Sequence, residues 1–219
     1  MTDPQKHEVE VDWDQVHQTN FASAAFSYTK WIDKAVDLLK TAKKLEPELI
    51  DIWEKVEKSF DDDNISIPAN YYQESYFMII SFVVENILKA KYIQLYGRQC
   101  SEKFYFVMAS DLPLNKKLKE IFPADLKSHD LYKLAKFVKL DLRDNEEDLL
   151  RRLSHNATWA GRYPVPLNHK DMPGLARFSD GKTYGLKWFG SNDVEVINEF
   201  IASLPERLGL HISHKWPIE

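Results

Sequence analysis

A single cysteine, Cys100, excludes an internal disulfide and any site built from paired thiolates. Glycine is scarce, with seven residues, and none of them forms a phosphate-cradling loop or a nucleophile elbow. Uninterrupted apolar runs of about 18 residues are missing, so no membrane span is expected. Met1 to Glu10 is charged and polar without an apolar stretch, so a secretory leader is not expected and a reducing, cytoplasmic setting fits. Internal repeats and low-complexity stretches are lacking as well. Material for a core is plentiful: 44% apolar and 13% aromatic residues suffice for one large domain or a domain with an appendage.

The net charge of −5 is unevenly laid out along the chain. Residues 1–64 hold fifteen acidic and eight basic side chains, whereas residues 88–139 hold five and eleven. A basic middle is an electrostatic reason to expect an anionic ligand, either a nucleotide or an RNA backbone. The alternative is a solvated lysine face that serves solubility.

Apolar periodicity assigns most of the chain to helix. Tyr28, Trp31, Ile32, Ala35, Val36, Leu38, Leu39 and Ala42 recur at three- and four-residue spacing, which predicts a helix over 22–44. Pro47 suits the first turn of a second helix, 48–60, striped by Leu49, Ile52, Trp53, Val56 and Phe60. Pro68 is placed to open the longest helix, 69 to about 96, and Gly97 to cap its C-terminal end. That helix is apolar nearly all round, which suits a bundle centre or a subunit interface. The run 104–109 reads equally as strand or helix. Further helices are predicted at 116–122, at 130–140 and at 146–157, the last capped by Asp144 or Asn145. Residues 162–190 hold three prolines and four glycines and form a loop, within which Asp180-Gly181 signals a hairpin. A last helix, 193–208, turns Val194, Ile197, Phe200, Ile201 and Leu204 to the core. The expected fold is all-α, an up-and-down helical bundle over 67–210 with a loop insertion at 162–190 and a small β-hairpin in it. A helical pair at 21–66 packs on this core, with a polar tail at 1–20 and another tail at 211–219.

Three local patterns stand in order. Ser81-Phe82-Val83-Val84-Glu85-Asn86-Ile87-Leu88-Lys89-Ala90 sets one acid and one lysine four apart inside an apolar run. Ser128-His129-Asp130-Leu131-Tyr132-Lys133-Leu134 follows, and Gly161-Arg162-Tyr163-Pro164 comes one helix later. Together they resemble the HEPN family of helical domains, whose members carry an acid-and-lysine helix, a His-Asp-Leu turn and, in one branch, an Arg-Tyr-Pro ending. The resemblance spans about residues 70–165, less than half of the chain.

The residues have their own physics. Glu85 and Lys89 are spaced for an ion pair with the acid nearer the helix N-terminus, and among Phe82, Ile87 and Leu88 each needs the other. Asp130 suits a helix cap. Arg162 has the planar fork that fits a carboxylate or phosphate, and Tyr163 can stack on a base or pack. An anionic ligand is therefore expected in a cleft lined by Lys89, His129, Arg151, His155, Arg162 and Tyr163, with Glu85, Asp130 and His169 as further candidate binding residues.

The resemblance also implies an enzyme. Members similar to metal-independent ribonucleases carry an arginine and a histidine with four to six residues between them on one helix. There histidine would act as general acid or base on a ribose hydroxyl while arginine stabilises the phosphorane-like transition state. Arg151 and His155 are the candidate catalytic pair, with three residues between them; Arg162 and His169 satisfy the count, but Pro164 and Pro166 preclude a regular helix there. The reading that follows is a HEPN-like module binding a nucleotide, RNA or a protein partner encoded nearby, a homodimer through the long helix, without strong catalysis. Its alternatives are an endoribonuclease of toxin or defence type and a purely structural scaffold. No metal or other cofactor is expected: His211 and His214 lack a nearby acid or cysteine, and Asp61 to Asp63 lacks calcium-loop spacing.

Overall fold

The computed structural model describes residues 12–60, 72–111, 117, 120, 124–160, 175–177, 183–185, 189–212 and 216. Among these, six α-helices carry the architecture: α1 (Trp13–Ala25), α2 (Tyr28–Ser59), α3 (Gln73–Met108), α4 (Leu131–Phe137), α5 (Asp144–His155) and α6 (Ser191–Arg207). A 3-10 turn, Ala124–Lys127, precedes α4, and a π turn, Asn156–Ala160, prolongs α5. The expected hairpin is present as β1 (Leu175–Arg177) antiparallel to β2 (Thr183–Gly185), with Arg177 opposite Thr183; its turn lies outside the described residues. The all-α expectation holds. The helix expected at 116–122 falls outside the described residues except for Lys117 and Glu120.

Where two helices were expected across 22–60, α2 is one, and Pro47 lies inside it rather than at a start. Buried Ile32, Ala35, Leu39, Ala42, Leu49 and Trp53 keep an unbroken seven-residue repeat in which Glu46 takes the remaining inward position. The proline removes one backbone bond, while the packed stripe continues past it in phase. Glu46 is tolerated inside because Lys43 Nζ, Tyr76 Oη and Asn198 Nδ2 each donate to its carboxylate at 3.1 Å. Burial, reinforced by the Glu46 charge, pushes the Tyr76 phenol well above its ordinary range, so it serves as a donor.

The tail expected at 1–20 is helical from Trp13, because Asp12 caps α1 by accepting from Gln15 N at 3.1 Å. Helix α1 ends at the Phe26-Ser27 corner, where the Trp31 indole donates to the Ala25 carbonyl that the helix end leaves open. Helix α3 likewise runs past the cap assigned to Gly97, and residues 104–108 belong to it. Gly97 is required for another reason: a Cβ there would sit 3.1 Å from the Phe26 carbonyl oxygen and 3.0 Å from Ile93 Cγ2. It is the point at which the α1–α2 corner presses on α3.

Contacts of Trp53 with Gln73, Glu46 with Tyr76, Trp31 with Lys89 and Ala22 with Phe104 run in opposite directions along the two helical segments. Helices α1 and α2 thus form an antiparallel layer along nearly the whole of α3. Helices α4, α5 and α6 cover its other sides. Tyr76, Phe77, Ile80, Ile87 and Leu88 of α3 meet Leu131, Leu134, Leu149, Leu150 and Ile201 in one cluster. Most of the apolar surface of α3 is thus buried within the chain, while Leu95, Tyr105 and Phe106 toward its C-terminal end remain exposed. Among the described residues no helix is long and apolar enough to cross a membrane.

Candidate functional site

Glu85 and Lys89 form the ion pair that their spacing predicts, Lys89 Nζ donating to Glu85 Oε1 at 2.6 Å with both side chains buried. Unpaired, either charge would be expensive at this depth. The indole of Trp31 closes one side, its ring centroid 5.8 Å from the ammonium. On the other carboxylate oxygen, Glu85 Oε2, stands His129 Nδ1 at 2.8 Å. A carboxylate oxygen accepts, so Nδ1 donates and Nε2 is the ring nitrogen left over. Nε2 has no partner among the described residues, and the side chain is 39% exposed. One buried acid thereby fixes an imidazole whose outer edge faces solvent.

The turn that carries His129 is held on both sides. Asp130 caps α4 as expected, accepting from Lys133 N at 2.9 Å, and its own N–H donates to Ser128 Oγ at 3.0 Å. The first amide of α4, Leu131 N, donates to Ser154 Oγ of α5 at 2.9 Å, while that hydroxyl donates to Leu150 O. Ser154 thus bolts α4 to α5 and fixes the imidazole against α3. Sequence reasoning passed over it, since a serine in a helix carries no signal of a cross-helix bond.

The expected catalytic pair takes a different setting. Arg151 is buried, its guanidinium over the Tyr132 ring at 3.8 Å from the centroid rather than extended to solvent. His155 ends α5 and is half-buried, one turn from Arg151. Beyond it the backbone widens into the π turn, where Thr158 Oγ1 donates to Ser154 O and Asn156 Nδ2 to Arg152 O. Arg162, Tyr163 and His169 lie outside the described residues. Among the described residues no group of three His, Cys, Asp or Glu side chains is arranged to hold a metal. Cys100 is buried, and burial raises its thiol above the ordinary range, an unreactive setting.

A second buried carboxylate went unnoticed in the sequence. Glu146 accepts from Arg143 N at 3.0 Å, from Arg143 Nε at 3.1 Å, and from both terminal nitrogens of Arg207 at 2.8 and 2.9 Å. Burial alone would raise this carboxyl; the bonds from Arg207 and the Arg143 amide, with the two guanidinium charges, outweigh it and hold the group below its ordinary range. Arg207 also donates to the Asp141 carbonyl. The cluster ties the start of α5 to the end of α6, and Glu146 supplies the N-terminal cap assigned to Asp144 or Asn145. Its only sequence signal was a glutamate three residues after Arg143.

Comparison with protein-family models, with curated proteins and with solved structures finds no match to this chain.

Proposed function

We propose that the chain is a HEPN-like helical module that binds a nucleotide or RNA through the surface around His129, without strong catalysis. One observation supports this above the others: Glu85 holds Nδ1 of a 39% exposed imidazole and leaves Nε2 open. An imidazole so held can accept from an N–H on a base edge or, once protonated, donate to a phosphate, without turning its ring. Exposed Lys127 and Lys133 flank it in sequence, and the surrounding 88–139 segment is the basic part of the chain. Binding is favoured over cleavage because Arg151, the arginine on which phosphorane stabilisation would depend, is buried against Tyr132.

The test is fluorescence anisotropy with labelled single-stranded RNA and a labelled adenine nucleotide, at two salt concentrations. Salt-sensitive binding that falls about tenfold in His129→Ala, with no RNA cleavage in EDTA, is the expected result. EDTA-resistant cleavage that His155→Ala abolishes would establish the ribonuclease instead. Undiminished binding in His129→Ala would remove this site from the reading.

A further inference from the structure

Between α2 and α6 lies a groove of about 490 Å³ whose residues are distinct from those of the His129 site. Its walls run antiparallel, Ser191 bonding to Glu57 at one end and Asn198 to Glu46 further along. Ile50 and Val194 give it an apolar floor, and Glu195 and Glu199 of α6 form an acidic rim. These two carboxylates are exposed and one helical turn apart, an arrangement in which like charges repel. Other surface acids have a cation one turn away, as in Asp51–Lys55, Glu54–Lys58 and Arg98–Glu102. The positions one turn from Glu195 and Glu199 otherwise hold Ser191, Asn192, Val196, Asn198, Ala202 and Ser203, and neither acid is in an ion pair among the described residues.

The inner end of the groove is also rich in acceptors. Glu46 already takes the donors of Lys43, Tyr76 and Asn198, and Asn198 Oδ1 is buried without a donor. Acceptors thus outnumber donors from rim to floor, and the complement is a donor-rich cation on an apolar stem, the chemistry of lysine and arginine. From Ser191 to Ala202 the groove follows α6 for about 16 Å at the helical rise per residue, the length of a three-turn helix. Both walls are helices with their backbone bonds internal, so no strand edge is offered and a helix laid in the groove is the matching mode.

We infer that this groove docks a basic amphipathic helix of a partner protein. The apolar stripe of that helix covers Ile50 and Val194, and its lysines or arginines reach Glu195 and Glu199. Because this surface does not depend on the His129 reading, the two can fail separately.

The test titrates the full chain with a fluorescein-labelled leucine–lysine helical peptide, read by anisotropy, with circular dichroism on every variant. Glu195→Lys with Glu199→Lys is expected to weaken binding about tenfold or more. Ile50→Ala, which shortens a half-exposed side chain in the floor, is expected to weaken it about threefold. Asp33→Lys with Asp37→Lys, two exposed acids one turn apart on α2 and away from the groove, should leave it unchanged. An equal loss in that control would mean general attraction to an acidic protein and would overturn the proposal, as would no binding to the wild type. Complete displacement by spermidine with no effect of Ile50→Ala would assign the groove to a small polycation, and dissociation of a pre-existing dimer by the peptide would assign it to a second copy; either result overturns the helix.

Discussion

Glu85 and Glu146 are both buried glutamates that face two nitrogen-bearing side chains, yet they end in opposite states. Glu146 meets two guanidinium groups and a backbone amide, four donor contacts that use up both oxygens. Glu85 meets a buried ammonium and one nitrogen of an imidazole that still has its other nitrogen free. The first arrangement is a closed clamp between α5 and α6. The second is closed on the side of α3 and Trp31 and open at His129. Burial and charge pairing alone do not separate a structural knot from a site; the leftover valence on the outermost partner does.

Breaking the inner pair is the most damaging change. With Glu85→Ala, Lys89 keeps its depth and loses its anion, and urea unfolding is expected to show a loss of about 3–5 kcal/mol. Glu85→Leu combined with Lys89→Met should recover most of that loss, since well-packed apolar side chains replace a buried pair at little cost. A double variant as unstable as the single one would mean that unpaired charge is not the cause.

Glu146→Gln should cost less, about 1–3 kcal/mol, because Arg143 is exposed and Arg207 is near enough to solvent to be hydrated once released. Its pH dependence is the sharper readout. A carboxyl held below its ordinary range stabilises the fold at pH values above its unfolded value, about 4.3, and loses that contribution as pH falls through the depressed folded value. The gap between wild type and Glu146→Gln should therefore be constant from pH 7 to pH 5 and shrink below about pH 4. A gap that is flat down to acid unfolding would show that the clamp acts through packing alone.

His129→Ala is expected to have the smallest effect on stability, about 1 kcal/mol, since Glu85 keeps Lys89. Its effect on binding should exceed that of any change at Glu146 that leaves the fold intact. Equal effects on ligand affinity at the two clusters would erase the distinction between them.

The open cluster was more legible in sequence than the closed one, for a physical reason. An acid and a lysine four apart inside an apolar run already imply a buried pair, and a His-Asp step before an amphipathic stretch implies a capped helix start. Arg207 lies 61 residues from Glu146 in the chain, a separation that local patterns do not bridge. The same contrast runs through the fold. The core face of α6, Val194, Ile197, Phe200, Ile201 and Leu204, follows from 3.6-residue spacing and is buried throughout. Pro47 and Gly97 misled because each was read by its local habit, whereas a continuous heptad stripe and the close approach of Phe26 decide their settings. Arg151 was singled out by its distance from His155, and the ring it lies over, Tyr132, comes from a different helix.

The most direct test of the open site is the side-chain nitrogen spectrum of His129 in ¹⁵N-labelled protein during titration with single-stranded RNA or an adenine nucleotide. The account predicts that the His129 Nε2 resonance moves progressively to saturation while Nδ1 keeps the signature of a nitrogen bonded to Glu85. An Nε2 resonance that stays fixed while the ligand saturates the protein would contradict it.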